Sequence, residues 1–393
     1  MPRMFQFTEL PPLSLYIHFP WCERKCPYCD FNSHQSRSAV PERAYVDALL
    51  RDLADDLPRV WGRAVQTVFI GGGTPSLLSV AAIDQLLSGL RALLALRPDA
   101  EITLEANPGS AEQARFSEYR AAGINRLSIG VQSFSADSLQ RLGRIHGRRE
   151  AIAAAEMAHA AGFGNFNLDL MFALPAQDPA QAAEDVATAI ALEPTHISYY
   201  QLTLEPNTRF FAQPPRLPDD DSAWHIQQQG QALLAGAGYG QYEVSAYARE
   251  GWRCAHNINY WQFGDYLGIG AGAHAKLSDA AQQNITRLAK RRGPQDYLHA
   301  DCVAQRIQRE RTIMRNEVGL EFMMNALRLT EGFAPSLFAA HTGQPLTLIG
   351  TPLRMAEEKG LLDWSMDNIR ASQKGRRFLD DLLGIFTDVG KGR

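Results

Sequence analysis

Six short stretches of the chain alternate apolar and polar side chains, and a helical pattern or a turn follows each of them. Alternation with period two is typical of a β-strand, and strands separated by amphipathic helices are typical of parallel βα units. The strand-like stretches are residues 13–19, 67–70, 101–107, 126–134, 165–172 and 196–205. Helical patterns cover residues 42–57, 81–96, 111–122 and 149–161. We therefore predict an α/β fold built on an incomplete (β/α)6 barrel, with ligands at the carboxyl ends of the strands.

The rest of the chain is predicted to add smaller parts to this barrel. A helix is expected at residues 222–235 and a strand at residues 241–247, and the pattern becomes helical from about residue 301. In this last part we expect helices at residues 317–329, 334–340, 346–359 and 375–386, and an alternating stretch at residues 361–369. This order resembles a small winged-helix module. The predicted divisions are an N-terminal tail (1–12), the barrel (13–235), an extension (236–300) and a C-terminal helical, winged-helix-like domain (301–393).

The predicted inner face of the barrel is polar, whereas packed barrels are usually filled with Val, Ile and Leu. The side chains that share this face are Ser14, Tyr16, His18, Glu101, Thr103, Glu105, Asn107, Ser128, Gly130, Gln132, Asn165, Asn167 and Asp169. Burying such groups without partners would cost a few kcal/mol each. A polar ligand inside the barrel is the simplest explanation. The alternative is a polar layer that is satisfied by its own members and by water.

Three cysteines stand close together directly after the first predicted strand. Cys22, Cys26 and Cys29 have the spacing CxxxCxxC. Three thiolates suit an iron–sulfur cluster, and a cluster of four irons would keep one iron open to chelate a small molecule. A structural zinc site would need a fourth ligand, which His18 or His34 would have to supply. A disulfide framework is disfavoured because nothing in the sequence indicates an oxidising compartment.

The second predicted strand runs into the stretch Gly71-Gly72-Gly73-Thr74-Pro75. Glycines let the backbone approach a ligand closely, although such a stretch by itself is also compatible with a tight turn. After a CxxxCxxC loop, however, it resembles the GGxTP motif of the radical S-adenosylmethionine (SAM) superfamily. Tyr28, an aromatic residue directly before the last cysteine, agrees with the same resemblance.

This resemblance implies a 4Fe–4S cluster on Cys22, Cys26 and Cys29, whose open iron binds the amino and carboxylate groups of SAM. The residues that it implies as SAM contacts are Tyr16, Gly72, Gly73, Thr74, Glu105, Gln132, Arg144 and Asp169. Three of these, Glu105, Gln132 and Asp169, are also inner-face residues on periodicity alone. One departure from the family pattern is Ala173, where family members usually carry glycine. Because its methyl group is small, we expect no loss of function.

A second candidate site lies in the stretch His256-Asn257-Ile258-Asn259-Tyr260-Trp261. Imidazole is a good ligand for iron, and aromatic rings suit the face of a flat macrocycle. The alternative is that His256 is an ordinary core or surface histidine. His274, in a glycine-rich stretch, and Cys254 are rival iron ligands, whereas an inert buried thiol is the simpler interpretation of Cys254.

Composition and charge argue against several classes of function. The 393 residues carry a net charge of −4, which offers no general attraction to nucleic acid or to an anionic membrane. In the C-terminal domain, the basic residues are offset by nearby acidic ones, so we expect a structural or docking role and no DNA binding. No apolar run is long enough to span a membrane, and the N-terminus lacks the apolar run of a signal peptide. We expect a cytoplasmic protein.

The resemblance extends over nearly the whole chain to the coproporphyrinogen-dehydrogenase-like group of radical SAM proteins. This group contains an oxygen-independent coproporphyrinogen III dehydrogenase of haem synthesis and a class of haem chaperones. The enzyme carries a fourth cysteine where this chain has Phe31, and a longer N-terminal arm; the chaperones carry the HNxxYW motif. All three features favour the chaperone class, with the dehydrogenase as the alternative.

The implied function is a haem chaperone with a 4Fe–4S cluster, SAM, and haem held near His256, Tyr260 and Trp261. The partners that this implies are haem, SAM, an electron donor and a haem-acceptor protein, for which a respiratory protein is a candidate. We hypothesise that binding or reductive cleavage of SAM controls haem release. We assign no catalytic residue and expect no coproporphyrinogen III oxidase activity. A zinc-stabilised binding module is a third class, which metal analysis would distinguish.

Overall fold

A computed structural model describes residues 5–36, 39–109 and 114–387 of the chain. Its strands are β1 (Leu13–Phe19), β2 (Trp21–Cys22), β3 (His34–Gln35), β4 (Ala64–Gly72), β5 (Ala95–Ala106), β6 (Arg126–Gln132), β7 (Phe166–Phe172), β8 (His196–Gln201), β9 (Gly240–Glu243), β10 (Ala246–Ala248), β11 (Asp265–Ile269), β12 (His274–Asp279), β13 (Asn284–Lys290), β14 (Ile307–Thr312), β15 (Leu362–Trp364) and β16 (Ile369–Ala371). Its α-helices are α1 (Glu42–Val60), α2 (Val80–Leu93), α3 (Phe116–Ala122), α4 (Ala136–Arg141), α5 (Arg148–Ala160), α6 (Pro179–Ala191), α7 (Arg209–Ala212), α8 (Asp220–Gly236), α9 (Ala255–Trp261), α10 (Pro294–Leu298), α11 (Val303–Arg306), α12 (Arg315–Ala326), α13 (Pro335–Thr342), α14 (Gly350–Glu358), α15 (Gln373–Arg377) and α16 (Leu379–Gly384). Short 3-10 helices cover Pro75–Leu77 and Leu346–Ile349.

Within these residues, twelve strands form one sheet with the spatial order β14-β13-β12-β11-β1-β4-β5-β6-β7-β8-β10-β9. From β1 to β8 every neighbouring pair is parallel, and β11 also runs parallel to β1. The strands farther out, β12 to β14 on one side and β10 and β9 on the other, pair antiparallel. The predicted incomplete barrel of six parallel strands is thus confirmed, and antiparallel strands extend it at both ends.

The two faces of β1 show why the barrel has a polar interior. Leu13, Leu15 and Ile17 are at most 1% exposed and pack in the main hydrophobic core against the surrounding helices. The alternate residues face inward, where the hydroxyl of Thr67 on β4 donates a hydrogen bond to Ser14 Oγ over 2.8 Å. Because side chains alternate along a strand, one strand lines both the core and the interior. The faces predicted for β1 are therefore confirmed.

A second hydrophobic core lies beside the barrel. The C-terminal helices α12 to α14 contribute to it, and Phe322 of α12 is fully buried there. The N-terminal segment adds Phe5 and Phe7, and the loop and strand around β11 and β13 add Phe263 and Ile285. The C-terminal helical domain is therefore packed onto the sheet extension through apolar side chains. The predicted domain divisions remain predictions.

Two strand predictions need correction. Residues 241–247 form no single strand, because a turn at Val244 and Ser245 divides them into β9 and β10. Strand β14 lies in the region that was expected to be helical from about residue 301. It is an edge strand with a largely exposed, charged sequence, so the apolar alternation that identifies a strand is missing there.

The C-terminal elements are shorter than predicted. Residues 346–359 divide into a 3-10 helix and α14, residues 361–369 belong to the hairpin of β15 and β16, and residues 375–386 divide into α15 and α16 at Phe378. In the helix expected at residues 111–122, residues 111–113 lie outside the described residues and α3 covers Phe116–Ala122. Among the residues that the structure describes, no helix is both long and apolar enough to cross a membrane.

Candidate functional site

The three cysteines of the CxxxCxxC loop line one cavity of about 530 Å³ at the carboxyl end of β1. All three thiols are free and half-buried. The Lys25 ammonium holds the loop by donating hydrogen bonds to the carbonyls of Phe31 (3.2 Å) and Ser33 (3.0 Å). Within the described residues, no group of three or more His, Cys, Asp or Glu side chains is arranged to hold a single metal ion. Three free thiols on one cavity wall fit the donor set of an iron–sulfur cluster.

The glycine stretch after β4 lies against the backbone that leads into the cysteine loop. The amide of Gly73 donates to the carbonyl of Phe19 over 2.6 Å, and the amide of Thr74 donates to the carbonyl of Trp21 over 2.7 Å. A Cβ atom at Gly73 would lie 2.3 Å from the Trp21 carbonyl oxygen, so only glycine fits there. Gly72 has φ +115° and donates its amide to Glu105 Oε2 over 2.9 Å. The glycines thus allow two loops and an inner-face carboxylate to meet.

A polar chain connects the cysteine loop to the next strands of the barrel. Arg144 contacts Cys26 Sγ at 3.7 Å through Nη1 and donates from Nη2 to Asn107 Oδ1 over 2.7 Å. The amide nitrogen of Asn107 donates in turn to Thr74 Oγ1 over 3.0 Å. These contacts bring Thr74 and Arg144, both predicted SAM contacts, to the wall of the same cavity as the cysteines.

The remaining predicted SAM contacts of the inner face lie on this wall as well. Asp169 accepts hydrogen bonds from Asn167 (2.8 Å) and Ser128 (3.2 Å), and burial raises the pKa of its carboxyl. Burial also raises the pKa of Glu105, to about 7. The Tyr200 hydroxyl donates to Gln132 Oε1 over 2.7 Å. The wall therefore offers two carboxyl groups whose charged forms are destabilised by burial.

A second cavity of about 770 Å³ adjoins the first. Gly72, Glu105 and Asp169 belong to the walls of both cavities. Tyr16 lies only on the second cavity, where its hydroxyl is 3.0 Å from His18 Nδ1. Tyr16 therefore shares a cavity wall with Gly72, Glu105 and Asp169 but lies away from the cysteines, and its role in SAM binding stays a prediction.

Helix α9 carries the HNxxYW stretch and borders the second cavity. His256 is 8% exposed, its Nδ1 lies 2.9 Å from Thr67 Oγ1, and burial lowers its pKa to about 3. Its Nε2 makes no hydrogen bond to any residue that the structure describes. Tyr260 and Trp261 line the same cavity. This geometry offers a neutral imidazole with one free nitrogen beside two aromatic rings.

The two rival iron ligands differ in their surroundings. His274 is exposed and lines the same cavity as His256. Cys254 is fully buried, and its Sγ lies 3.5 Å from Glu101 Oε1, outside the residues that line either cavity. The cavity thus brings together His256 and His274, and it leaves Cys254 in the position of an inert buried thiol.

Several cavity residues were missed by the sequence analysis as site candidates. Arg126, His196 and Ser198 line the second cavity, and Tyr200 lines the first. A signal was available, because residues 196, 198 and 200 alternate along β8 in the same way as the residues selected on β5 to β7. Arg126 is harder to identify from alternation alone, because an arginine at the start of a strand usually extends into solvent.

Comparison with known proteins agrees with this geometry. The model of the radical SAM superfamily matches residues 16–189, and the model of the HemN C-terminal domain matches residues 313–378. The solved structure of coproporphyrinogen III oxidase (HemN) from Escherichia coli, a radical SAM enzyme, superposes with a TM-score of 0.81 at 26% identity. This match covers 96% of this chain and 90% of that chain. The fold and the three-thiol site thus define a radical SAM protein.

The full-length relatives narrow this class. The haem chaperone HemW of Escherichia coli (strain K12) is 50% identical over 379 residues, which cover 96% of this chain and 99% of that protein. The haem chaperone HemW of Haemophilus influenzae is 47% identical over 382 residues, which cover 96% of this chain and 98% of that protein. This chain belongs to the HemW family of haem chaperones.

Proposed function

We propose that this protein is a haem chaperone that binds haem, a 4Fe–4S cluster and SAM, and that it passes haem to an acceptor protein. The observation that carries the proposal is the pair of adjoining cavities inside one barrel. One cavity is bordered by three free thiols, and the other by an imidazole with a free nitrogen. The acceptor, the electron donor and a cytoplasmic location are parts of the same proposal.

In this proposal Cys22, Cys26 and Cys29 hold the cluster, and the adjacent wall holds SAM. A bound 4Fe–4S cluster would supply the electron for reductive cleavage of SAM. The glycines Gly72 and Gly73 let SAM approach the backbone closely. The carboxylates of Glu105 and Asp169 would accept hydrogen bonds from SAM, and the side-chain amide of Gln132 can both donate and accept them. Thr74 and Arg144 are positioned beside the thiols by Asn107.

On the haem side, His256 presents Nε2 to the cavity while Thr67 occupies Nδ1. A hydrogen bond to one ring nitrogen orients the other toward a metal, which is the usual arrangement of iron-binding histidines. Because burial keeps this imidazole neutral, its free lone pair is available at physiological pH. Tyr260 and Trp261 would add stacking surface for the macrocycle.

The test uses the reconstituted protein and the variant His256→Ala. We expect the wild type to bind about one haem per chain, and the variant to lose the haem Soret band or to shift it, with cluster absorbance and SAM affinity unchanged. His274→Ala is the matched control, since it removes an imidazole from the same cavity. A wild-type haem spectrum in His256→Ala and an altered one in His274→Ala would move the iron ligand to His274. A wild-type protein that binds no haem would overturn the proposed function.

The likeness to coproporphyrinogen III oxidase, with a TM-score of 0.81, supports a second candidate function in porphyrin oxidation. Phe31 stands two residues after Cys29, where the resemblance places a fourth cysteine in the enzyme, and it is 60% exposed at the rim of both cavities. We expect the reduced protein with SAM to form no protoporphyrinogen IX from coproporphyrinogen III. Steady turnover of that substrate, followed by chromatography, would favour the enzyme.

A further inference from the structure

Arg126 is a buried arginine whose side chain has no hydrogen-bond or ion-pair partner among the residues that the structure describes. It begins β6, its side chain is 2% exposed, and its Nε makes no hydrogen bond. It forms no ion pair with any residue that the structure describes. By contrast, the buried ammonium of Lys290 lies 2.7 Å from Asp52, and that of Lys276 lies 3.0 Å from Asp265. Arg126 is therefore an exception, because buried cations are normally paired.

Two carboxylates, those of Glu101 and Asp169, act electrostatically on Arg126, and both accept hydrogen bonds from other residues. Glu101 accepts hydrogen bonds from the amides of Ala255 and His256 at 3.0 and 3.1 Å, where it anchors the start of α9. Asp169 accepts hydrogen bonds from Asn167 and Ser128. Both carboxylates stabilise the charged guanidinium at longer range. Neither carboxylate accepts a hydrogen bond from the Arg126 side chain. The N–H groups of its guanidinium therefore remain available to a ligand in the cavity.

The space in front of Arg126 is the cavity that also contains His256. Resting on the proposed function, we infer that Arg126 binds a carboxylate of the ligand in this cavity, and that this carboxylate is a propionate of haem. A guanidinium matches a carboxylate with two parallel hydrogen bonds, which no neutral side chain can reproduce. A ligand with iron for His256 and a carboxylate for Arg126 would satisfy both free groups at once.

The carboxylate of SAM is the other source of the same chemistry. The resemblance puts that carboxylate on the open iron, and the cluster cavity has a separate arginine, Arg144, beside Cys26. Arg126 lines only the second cavity, on the side of His256. The haem propionate is therefore the source that the position of Arg126 favours.

The experiment compares haem with haem dimethyl ester, in which the propionates carry no charge, for the wild type and for Arg126→Met. The wild type should bind haem about 10- to 150-fold more tightly than the diester, as expected for charge-assisted hydrogen bonds. Arg126→Met should lose this preference while binding the diester as the wild type does, and Arg126→Lys should keep part of it. An undiminished preference for haem in Arg126→Met would overturn the assignment.

Two controls separate this role from its alternatives. Arg292→Met removes an exposed arginine from the rim of the same cavity, and its effect on haem affinity should be about fivefold or less. Without haem, Arg126→Met should unfold at the same or a higher temperature than the wild type, because it removes an unpaired buried charge. A lower unfolding temperature, together with equal losses of affinity for haem and for the diester, would show that Arg126 has a structural role and would overturn the assignment.

The SAM affinity of Arg126→Met should equal that of the wild type. A loss of SAM binding with unchanged haem binding would assign Arg126 to the carboxylate of SAM and overturn the haem assignment. If the wild type binds haem and the diester equally, the inference fails while the proposed function stands. If the wild type binds neither, both fail.

Discussion

Single residues decide what each cavity of the barrel can bind. On one side, Cys22, Cys26 and Cys29 are free, half-buried thiols on a loop that Lys25 ties down. On the other side, the imidazole of His256 is neutral because burial lowers its pKa to about 3. Thiolates are the usual ligands of iron–sulfur clusters and imidazole is a usual ligand of haem iron, so under the proposed function one barrel would hold both groups side by side.

The cysteines support the first prediction. We expect Cys22→Ala, Cys26→Ala and Cys29→Ala each to abolish incorporation of about four irons per chain, because a cluster with one open iron depends on all three thiolates. The measurement is iron and sulfide analysis together with visible absorbance after anaerobic reconstitution. Cys302→Ala, which removes an exposed thiol far along the chain, is the control and should keep the cluster. Stoichiometric zinc in place of iron would contradict the prediction.

At the scale of elements, α9 depends on a carboxylate from the barrel. The helix has only seven residues, and its first amides, those of Ala255 and His256, donate to Glu101 of β5. Later in the helix, the side-chain amide of Asn259 donates a hydrogen bond to Ser14 Oγ of β1 over 2.8 Å. A helix this short has little stability of its own, so these tertiary contacts determine where His256 points.

The second prediction concerns this anchor. Glu101→Ala leaves two helix amides without an acceptor, and we expect it to lower the free energy of unfolding by about 1–3 kcal/mol and to weaken haem binding. Glu101→Gln keeps one acceptor oxygen and should lose less on both measures. Urea unfolding and haem titration check the two effects. Unchanged haem affinity in Glu101→Ala would show that α9 holds its position without this contact.

The third prediction concerns the contact between α6 and the end of β6. Asp185 is buried and accepts hydrogen bonds from the Phe134 amide (2.6 Å) and the Ser133 hydroxyl (2.7 Å), yet burial raises its pKa from 3.8 to about 6. Because the pKa is raised, the folded state binds this proton more tightly than the unfolded state does. Protonated Asp185 therefore stabilises the fold below pH 4, and this stabilisation is lost as the pH rises through about 6. The loss is about 3 kcal/mol.

Asp185→Asn removes this titrating carboxyl. The free energy of unfolding of the variant should therefore not show the decrease of about 3 kcal/mol that Asp185 causes as the pH rises through about 6. Denaturant unfolding at a series of pH values from 3.5 to 7 measures it as a difference between variant and wild type. Glu184→Gln removes an exposed carboxylate from the same helix and should keep most of the wild-type loss, because burial is the largest cause of the raised pKa of Asp185. Parallel stability curves for Asp185→Asn and the wild type would rule out the assigned titration.

At the scale of the whole molecule, the second core joins distant parts of the chain. Phe322 of α12 contacts the rings of Phe263, Phe333 and Phe338, with centroids 5.0 to 5.8 Å apart. Phe263 precedes β11, which pairs with β1, the strand that leads into the cysteine loop. The C-terminal helices are thus coupled by packing to the strand that carries the site.

The fourth prediction tests this coupling. Phe322→Ala should lower the free energy of unfolding by about 3–5 kcal/mol, because it leaves a cavity among buried rings. Phe378→Ala, the same change at a residue that is 44% exposed, should cost about 0.5 kcal/mol or less. Urea unfolding followed by both far-ultraviolet circular dichroism and cluster absorbance provides the measurement. If cluster loss is unaffected by Phe322→Ala, the helical domain and the barrel are stabilised independently.

The sequence by itself determined the parallel strands, the inner and outer faces of β1, and the cysteine and glycine loops. These features depend on local periodicity and spacing, which a chain carries before it folds. Only the tertiary structure decided that β14 is an edge strand and that Tyr16 lies outside the cavity that the cysteines line. It also decided that Arg126 is buried with no hydrogen-bond or ion-pair partner in the described part of the chain. Each of these depends on which distant residues arrive beside the chain, and burial and pairing of charges are properties of that arrangement rather than of sequence spacing.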